Sequence, residues 1–192
     1  MSIGNDEKLI ARTAASAFGN KPTVTRYWDD PHVNAIDILI CQNTPWDHVS
    51  SYATIGVYKG DNGFTVDNSL LRVELLGACD ASFEFFPNIL ATCGFNIINS
   101  QMSCYPGAIF RNVVKMYYEM SELAHILFVS PFIWDKSPQT VTLNQVKVAW
   151  LQVVPISEAE SNYAIEHSPQ ELETLFEQKQ INIFDLHRAS IL

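Results

Sequence analysis

The spacing of apolar and polar positions changes several times along the chain, and each change marks an element. Leu9, Ile10, Ala14 and Ala17 fall at helical spacing. They predict a first helix through about residue 17, with Asn5 as N-cap, Asp6 and Glu7 in the first turn, and Gly19-Asn20 as the stop. Pro22 then opens an extended segment, Thr23–Trp28, rich in β-branched and aromatic residues. Ile36–Cys41 reads IDILIC, apolar on both faces, which predicts a central strand. After a turn at Asn43-Thr44-Pro45, strands are expected over His48–Tyr58 and Leu70–Leu76, with a tight hairpin-like turn at Asp61-Asn62-Gly63.

Phe83, Phe86, Leu90 and Phe95 then recur near helical spacing, and Pro87 places the helix start near Phe86. Gln101–Phe110, containing Pro106-Gly107, reads as loop. Leu123–Val129 and Gln145–Val154 read as strands separated by a loop with Pro131 and Pro138. Two helices close the chain. Ser157 with Glu160 is a capping box, and Ser168-Pro169-Gln170-Glu171 supplies an N-cap, a first-position proline and a third-position acid. Leu172, Leu175 and Phe176 give the second helix its buried face, and Tyr163 and Ile165 serve the first less cleanly. Strands in runs with helices at the ends and once in the middle predict an α+β fold. The expected architecture is a single domain over 1–192, a mixed, mostly antiparallel sheet covered by helices.

Composition narrows the picture. The 192 residues suffice for one domain with a substantial core, and 47% hydrophobic with 17% charged residues fits a folded protein. Net charge is −9, with 11 acids against 6 bases in residues 1–100 and 10 against 6 in 101–192. Such a surface argues against unaided nucleic-acid binding, because phosphates would repel it; it suits a basic protein partner or simply solubility. Six carboxylates and no Lys or Arg lie between Glu158 and Glu177. The N-terminus lacks an apolar signal-peptide core and no apolar run is long enough to span a bilayer, so a cytoplasmic location with no membrane contact is expected. Cys41, Cys79, Cys93 and Cys104 show no CxxC spacing and sit among apolar neighbours, as buried reduced thiols do.

Several groups of residues could suggest chemistry. Asp29-Asp30-Pro31-His32 carries metal-ligand types, but a turn rich in Asp and Pro accounts for it equally well. His48 and Ser50 would share a strand face, without a GxSxG elbow or a glycine-rich phosphate loop to support them. A thiol nucleophile at Cys79 or Cys104, served by His48 or His125, competes with the commoner buried cysteine. Asp185-x-His187-Arg188 suggests a salt bridge from Arg188 to an acidic core edge, and Trp46, Trp134 and Trp150 suit core or interface packing. No catalytic set, cofactor or metal site assembles from these residues.

Several segments do carry a resemblance. His48-Val49-Ser50-Ser51-Tyr52-Ala53-Thr54-Ile55-Gly56-Val57, then Val73-Glu74-Leu75-Leu76 through Phe86-Pro87-Asn88-Ile89-Leu90, then Phe128-Val129-Ser130-Pro131-Phe132 follow in order. Val154-Pro155-Ile156-Ser157-x-x-Glu160, Leu172–Phe176 and Asp185-Leu186-x-Arg188-x-Ser190 complete the series. Together, from about Trp28 to the C-terminus, they resemble the Suppressor of Fused-like domain family. Gly56-Val57-Tyr58-Lys59 departs from that family's usual glycine-leucine-serine. The resemblance implies inhibition by binding, not catalysis, with bacterial members acting as antitoxin or immunity proteins. The implied partner is a cognate LXG-type toxin bearing a C-terminal nuclease domain. Partner contacts are expected at Glu158, Glu160, Glu166, Glu171, Glu173 and Glu177, with Asp29, Asp30, Trp46 and Asp47 as a second patch. A peptide-binding adaptor that takes a strand at a sheet edge is the alternative.

Overall fold

Two long strands at the centre of the sheet organise the molecule. The computed structural model describes residues 4–19 and 21–192. Its elements are α1 (Asn5–Phe18), β1 (Thr23–Trp28), β2 (Ala35–Gln42), β3 (Val49–Ile55), β4 (Phe64–Val66), β5 (Ser69–Asp80) and α2 (Phe86–Ser100). Then come β6 (Ile109–Phe110), β7 (Leu123–Val129), β8 (Val141–Leu143), β9 (Val146–Ser157), α3 (Glu158–Glu166) and α4 (Pro169–Lys179). The strand order is β1-β2-β3-β5-β9-β7-β6, with β4 also on β5 and β8 also on β9. β5 and β9 pair in parallel, from Leu70 opposite Val146 to Leu76 opposite Gln152, and every other pairing is antiparallel. This is the mixed, mostly antiparallel α+β sheet the sequence predicts.

Side-chain parity assigns the faces. On β2, Ile36 and Ile38 join the core under α2 while Leu39 and Cys41 join the core under α1. That is why IDILIC shows no alternation: both faces are covered. On β9, Leu151 and Val153 face α2, Val148 and Trp150 face the α1 side, and Val154 and Ile156 meet α4. Thus α2 covers one face, and α1 and the α3–α4 pair share the other, side by side. Gly77 leaves room for α2, since a Cβ there would lie 2.7 Å from the Phe86 ring and 2.9 Å from Val153.

Several boundaries differ from expectation. Gly4, not Asn5, caps α1, and the buried stripe is Ile10, Ala14 and Phe18, while Leu9 is exposed. Gly19 closes the helix at φ 78°, whereas Asn20 lies outside the described residues. β3 stops at Ile55 because Gly56, at φ 118°, turns the chain into a short 3-10 turn at 57–59. His48 precedes the strand at φ 64°, so it shares no strand face with Ser50. Asp61-Asn62-Gly63 is no hairpin. Asn62 is buried and binds both the N–H and the carbonyl of Cys104, and the hairpin turn is Asp67-Asn68, at φ 47° and 59°. Positive φ at both turn residues matches the twist of the flanking strands. On α3 the buried residues are Glu160, Ser161 and Ala164, and Ile165 faces solvent.

Candidate functional site

The C-terminal carboxylates divide into those the fold uses and those it leaves outside. Glu160 has 0% exposure. Its oxygens accept from Arg188 Nη1 at 2.7 Å and Nη2 at 2.8 Å, from the Ser157 N–H at 2.9 Å and from the Ile191 N–H at 3.2 Å. Arg188 also donates to the Pro155 carbonyl at 3.1 Å, and the Ser157 and Ser190 hydroxyls lie 2.7 Å apart. The capping box and the chain's ending are therefore one buried staple. Glu160 presents nothing to a partner, because every direction around its carboxylate is already occupied.

Glu158, next to it, is exposed. His125 is buried and accepts from the Asn112 N–H at Nδ1, which leaves Nε2 to donate to Glu158 at 2.7 Å. That bond, with Arg111 nearby, holds the Glu158 carboxyl below its ordinary range. Asp29 also leaves the surface patch. Burial works against its charge, but N–H donors of Asn34 and Val33 and the Asn34 and Asn99 amides hold its carboxyl low. Asp30 and Asp47 remain exposed, as do Glu166 and Glu171.

The remaining site residues meet. A groove of about 610 Å3 runs between α4, the connection after β7, and the turn before β3. Val129, Val154, Phe176, Ile181, Ile183 and Phe184 supply its apolar lining, and Asp135, Glu173 and Glu177 its charges. Trp46 and Phe132, 57% and 59% exposed, stand at its sides. Trp46 packs edge-on against Phe184 with ring centroids 5.1 Å apart. The buried Gln152 side chain accepts from the Phe132 N–H at 3.1 Å, fixing that loop. Partial burial, then the neighbouring Glu177, pushes the Glu173 carboxyl up. Trp46, Glu173 and Glu177 came from different expected patches, and the fold joins them. Phe132, Asp135 and the Ile181–Phe184 run are not among the expected contacts, although an apolar INIF after a helix end is a usable signal.

Other polar and thiol groups of the sequence also turn inward. Glu74 is fully buried. Its carboxylate accepts from the Thr54 hydroxyl, from the Gly56 N–H at 2.7 Å and from the Tyr58 N–H at 3.2 Å. Burial without a cation pushes it up to about 7. Cys79 and Cys104 are buried, and desolvation pushes both thiols well above the ordinary range, which keeps them protonated and poorly nucleophilic. The Ser51 hydroxyl is held between the Trp134 indole and the Thr44 carbonyl. Among the described residues, no cluster of three or more His, Cys, Asp or Glu is placed to hold a metal, and no helix is long and apolar enough to cross a membrane.

Glu74 with Thr54 and Gly56, and Glu160 with Arg188, lie within the segments that carry the family resemblance. The Suppressor of fused protein (SUFU) family model matches residues 32–189. The chain belongs to the SUFU family. A SUFU relative in Bacillus subtilis, named Immunity protein YqcF, is 41% identical over 192 residues, covering all of both chains. A putative SUFU homolog from Neisseria gonorrhoeae has the same fold at TM-score 0.69 and 16% identity, covering 98% of this chain and 97% of that one. Drosophila Suppressor of Fused matches at TM-score 0.65 and 12% identity, over 94% of this chain and 50% of that one. The SUFU fold thus accounts for the whole sheet, and the buried carboxylates Glu74 and Glu160 tie that sheet to its turns and its last residues.

Proposed function

We propose that this SUFU-family chain is a cytoplasmic immunity protein that neutralises a cognate LXG-type toxin by binding its C-terminal nuclease domain. The observation that carries this reading is the 41% identity, end to end, with a protein named as an immunity protein. The charge of −9 supports it. Nuclease domains bind phosphate and tend to be basic, so an acidic inhibitor is steered toward the same surface and associates fast. Contacts are proposed at Trp46, Asp47, Glu173 and Glu177, with Glu158, Glu166, Glu171 and Asp30 as outlying charges.

Co-expression with the toxin encoded beside this chain tests the reading. Cells survive if the chain neutralises it, and continued killing despite abundant folded chain sinks the idea. A second reading, capture of a peptide by strand addition, is favoured by β1, which ends the sheet with its outer edge open over Thr23–Trp28. Slow, salt-insensitive binding of short peptides, lost when Thr25→Pro blocks that edge, distinguishes it from steered docking.

A further inference from the structure

The groove beside α4 has the attributes of a specific docking site for one kind of partner. Its lining is mostly apolar, and two large aromatic side chains, Trp46 and Phe132, stand more than half exposed at its sides. The Trp46 ring is held against Phe184 before any partner arrives, and the backbone that carries Phe132 is fixed by Gln152. Preplaced aromatic rings lose little freedom on binding, which is why such side chains dominate interface energetics. Every charged residue in the lining is an acid: Asp135, Glu173 and Glu177. Lys136 and Lys179, close in sequence, are absent from it.

Resting on the immunity reading, we propose that this groove receives an apolar side chain of the toxin's nuclease domain, bracketed in that partner by Lys or Arg side chains that pair with Asp135, Glu173 and Glu177. The charges select the occupant. A second copy of this chain would bring a net charge of −9 and the same three acids to the contact, and the two faces would repel. A neutral ligand would fill the apolar floor and leave the acids without partners. Glu173, crowded by Glu177 and partly buried, gains most from an incoming cation. The apolar anchor sets the lifetime of the complex, and the rim charges set its rate of formation.

The test uses the purified C-terminal nuclease domain of the toxin encoded beside this chain, with binding kinetics and nuclease inhibition as readouts. Trp46→Ala with Phe132→Ala is expected to weaken binding about 30-fold or more, mainly through faster dissociation. Glu173→Lys with Glu177→Lys is expected to slow association about tenfold at low salt and to flatten its salt dependence. Glu84→Lys with Glu119→Lys, exposed acids outside the groove and outside the proposed contacts, is expected to change association by no more than about threefold. Phe132→Glu alone serves if the Trp46 substitution loosens the turn, and thermal unfolding of each variant verifies its fold. If the wild-type chain binds and inhibits while the groove variants bind within about threefold of it, the groove proposal is overturned and the immunity reading stands. If the wild-type chain neither binds nor inhibits, both fall.

Discussion

The start of α3 and the outer face of α4 are made from similar sequence and do opposite things. Both helices begin at a Ser cap and carry acids in their first turn. At α3 the fold turns Glu160 inward, closes it with Arg188, and uses the pair to fasten the last residues of the chain. At α4 only Leu172 and Phe176 are buried, so Glu173 and Glu177 are left beside an apolar groove. A carboxylate becomes structural when a cation and backbone donors converge on it. It stays available for a partner when its neighbours are another acid and apolar side chains. Glu74 is a third case, buried with donors but no cation.

The largest expected effect probes the α3 side. Arg188→Ala leaves Glu160 buried without its counter-charge and should cost about 3 to 5 kcal/mol in urea unfolding. A loss under about 1 kcal/mol would mean that water reaches Glu160, and the contrast between the two helices would collapse.

Glu74 offers the next test, because it is buried with hydrogen-bond donors but no counter-charge. Its folded value, about 7, lies above the ordinary 4.5, so the native state holds the proton longer than the unfolded chain does. Its contribution is therefore full below pH about 4.5 and is lost as pH rises through about 7. Relative to Glu74→Gln, which cannot titrate, wild-type stability should fall by about 1 to 3 kcal/mol between pH 5 and 8. A pH-independent difference between the two proteins would show that the backbone donors fully stabilise the charge.

The smallest effect belongs to α4. Glu173 is raised by burial and by Glu177, so Glu173→Gln removes an unfavourable charge at neutral pH. Unfolding should change by no more than about 0.5 kcal/mol, toward greater stability. A loss of more than about 1 kcal/mol would place Glu173 among the structural carboxylates and break the comparison from its other side.

Local signals predicted the elements whose causes are local. The Ser157 and Ser168 caps, the proline-set start of α2 at Phe86 and the two-faced apolar strand β2 all lie where the residues place them. Three strands were missed: β4, β6 and β8 are two or three residues long, too short to display a period. The hairpin turn lies at Asp67-Asn68 and not at the expected Asp61-Asn62-Gly63. Asn62 there is instead committed to Cys104, far along the chain.

By itself, then, the sequence determined the helix starts, the apolar strands, the acidity and the family, because caps, periods and motif order are carried by neighbouring residues. It did not determine which acids are spent. Glu160 and Glu171 each stand three residues after a Ser cap, and Asp29 looks like Asp30. Only the tertiary structure brought Arg188 to Glu160, withheld a cation from Glu173, and set Trp46 beside α4 at the edge of one groove. The physical reason is that a charge is neutralised, desolvated or left in solvent by groups converging from distant strands, and that convergence exists only once the sheet has formed.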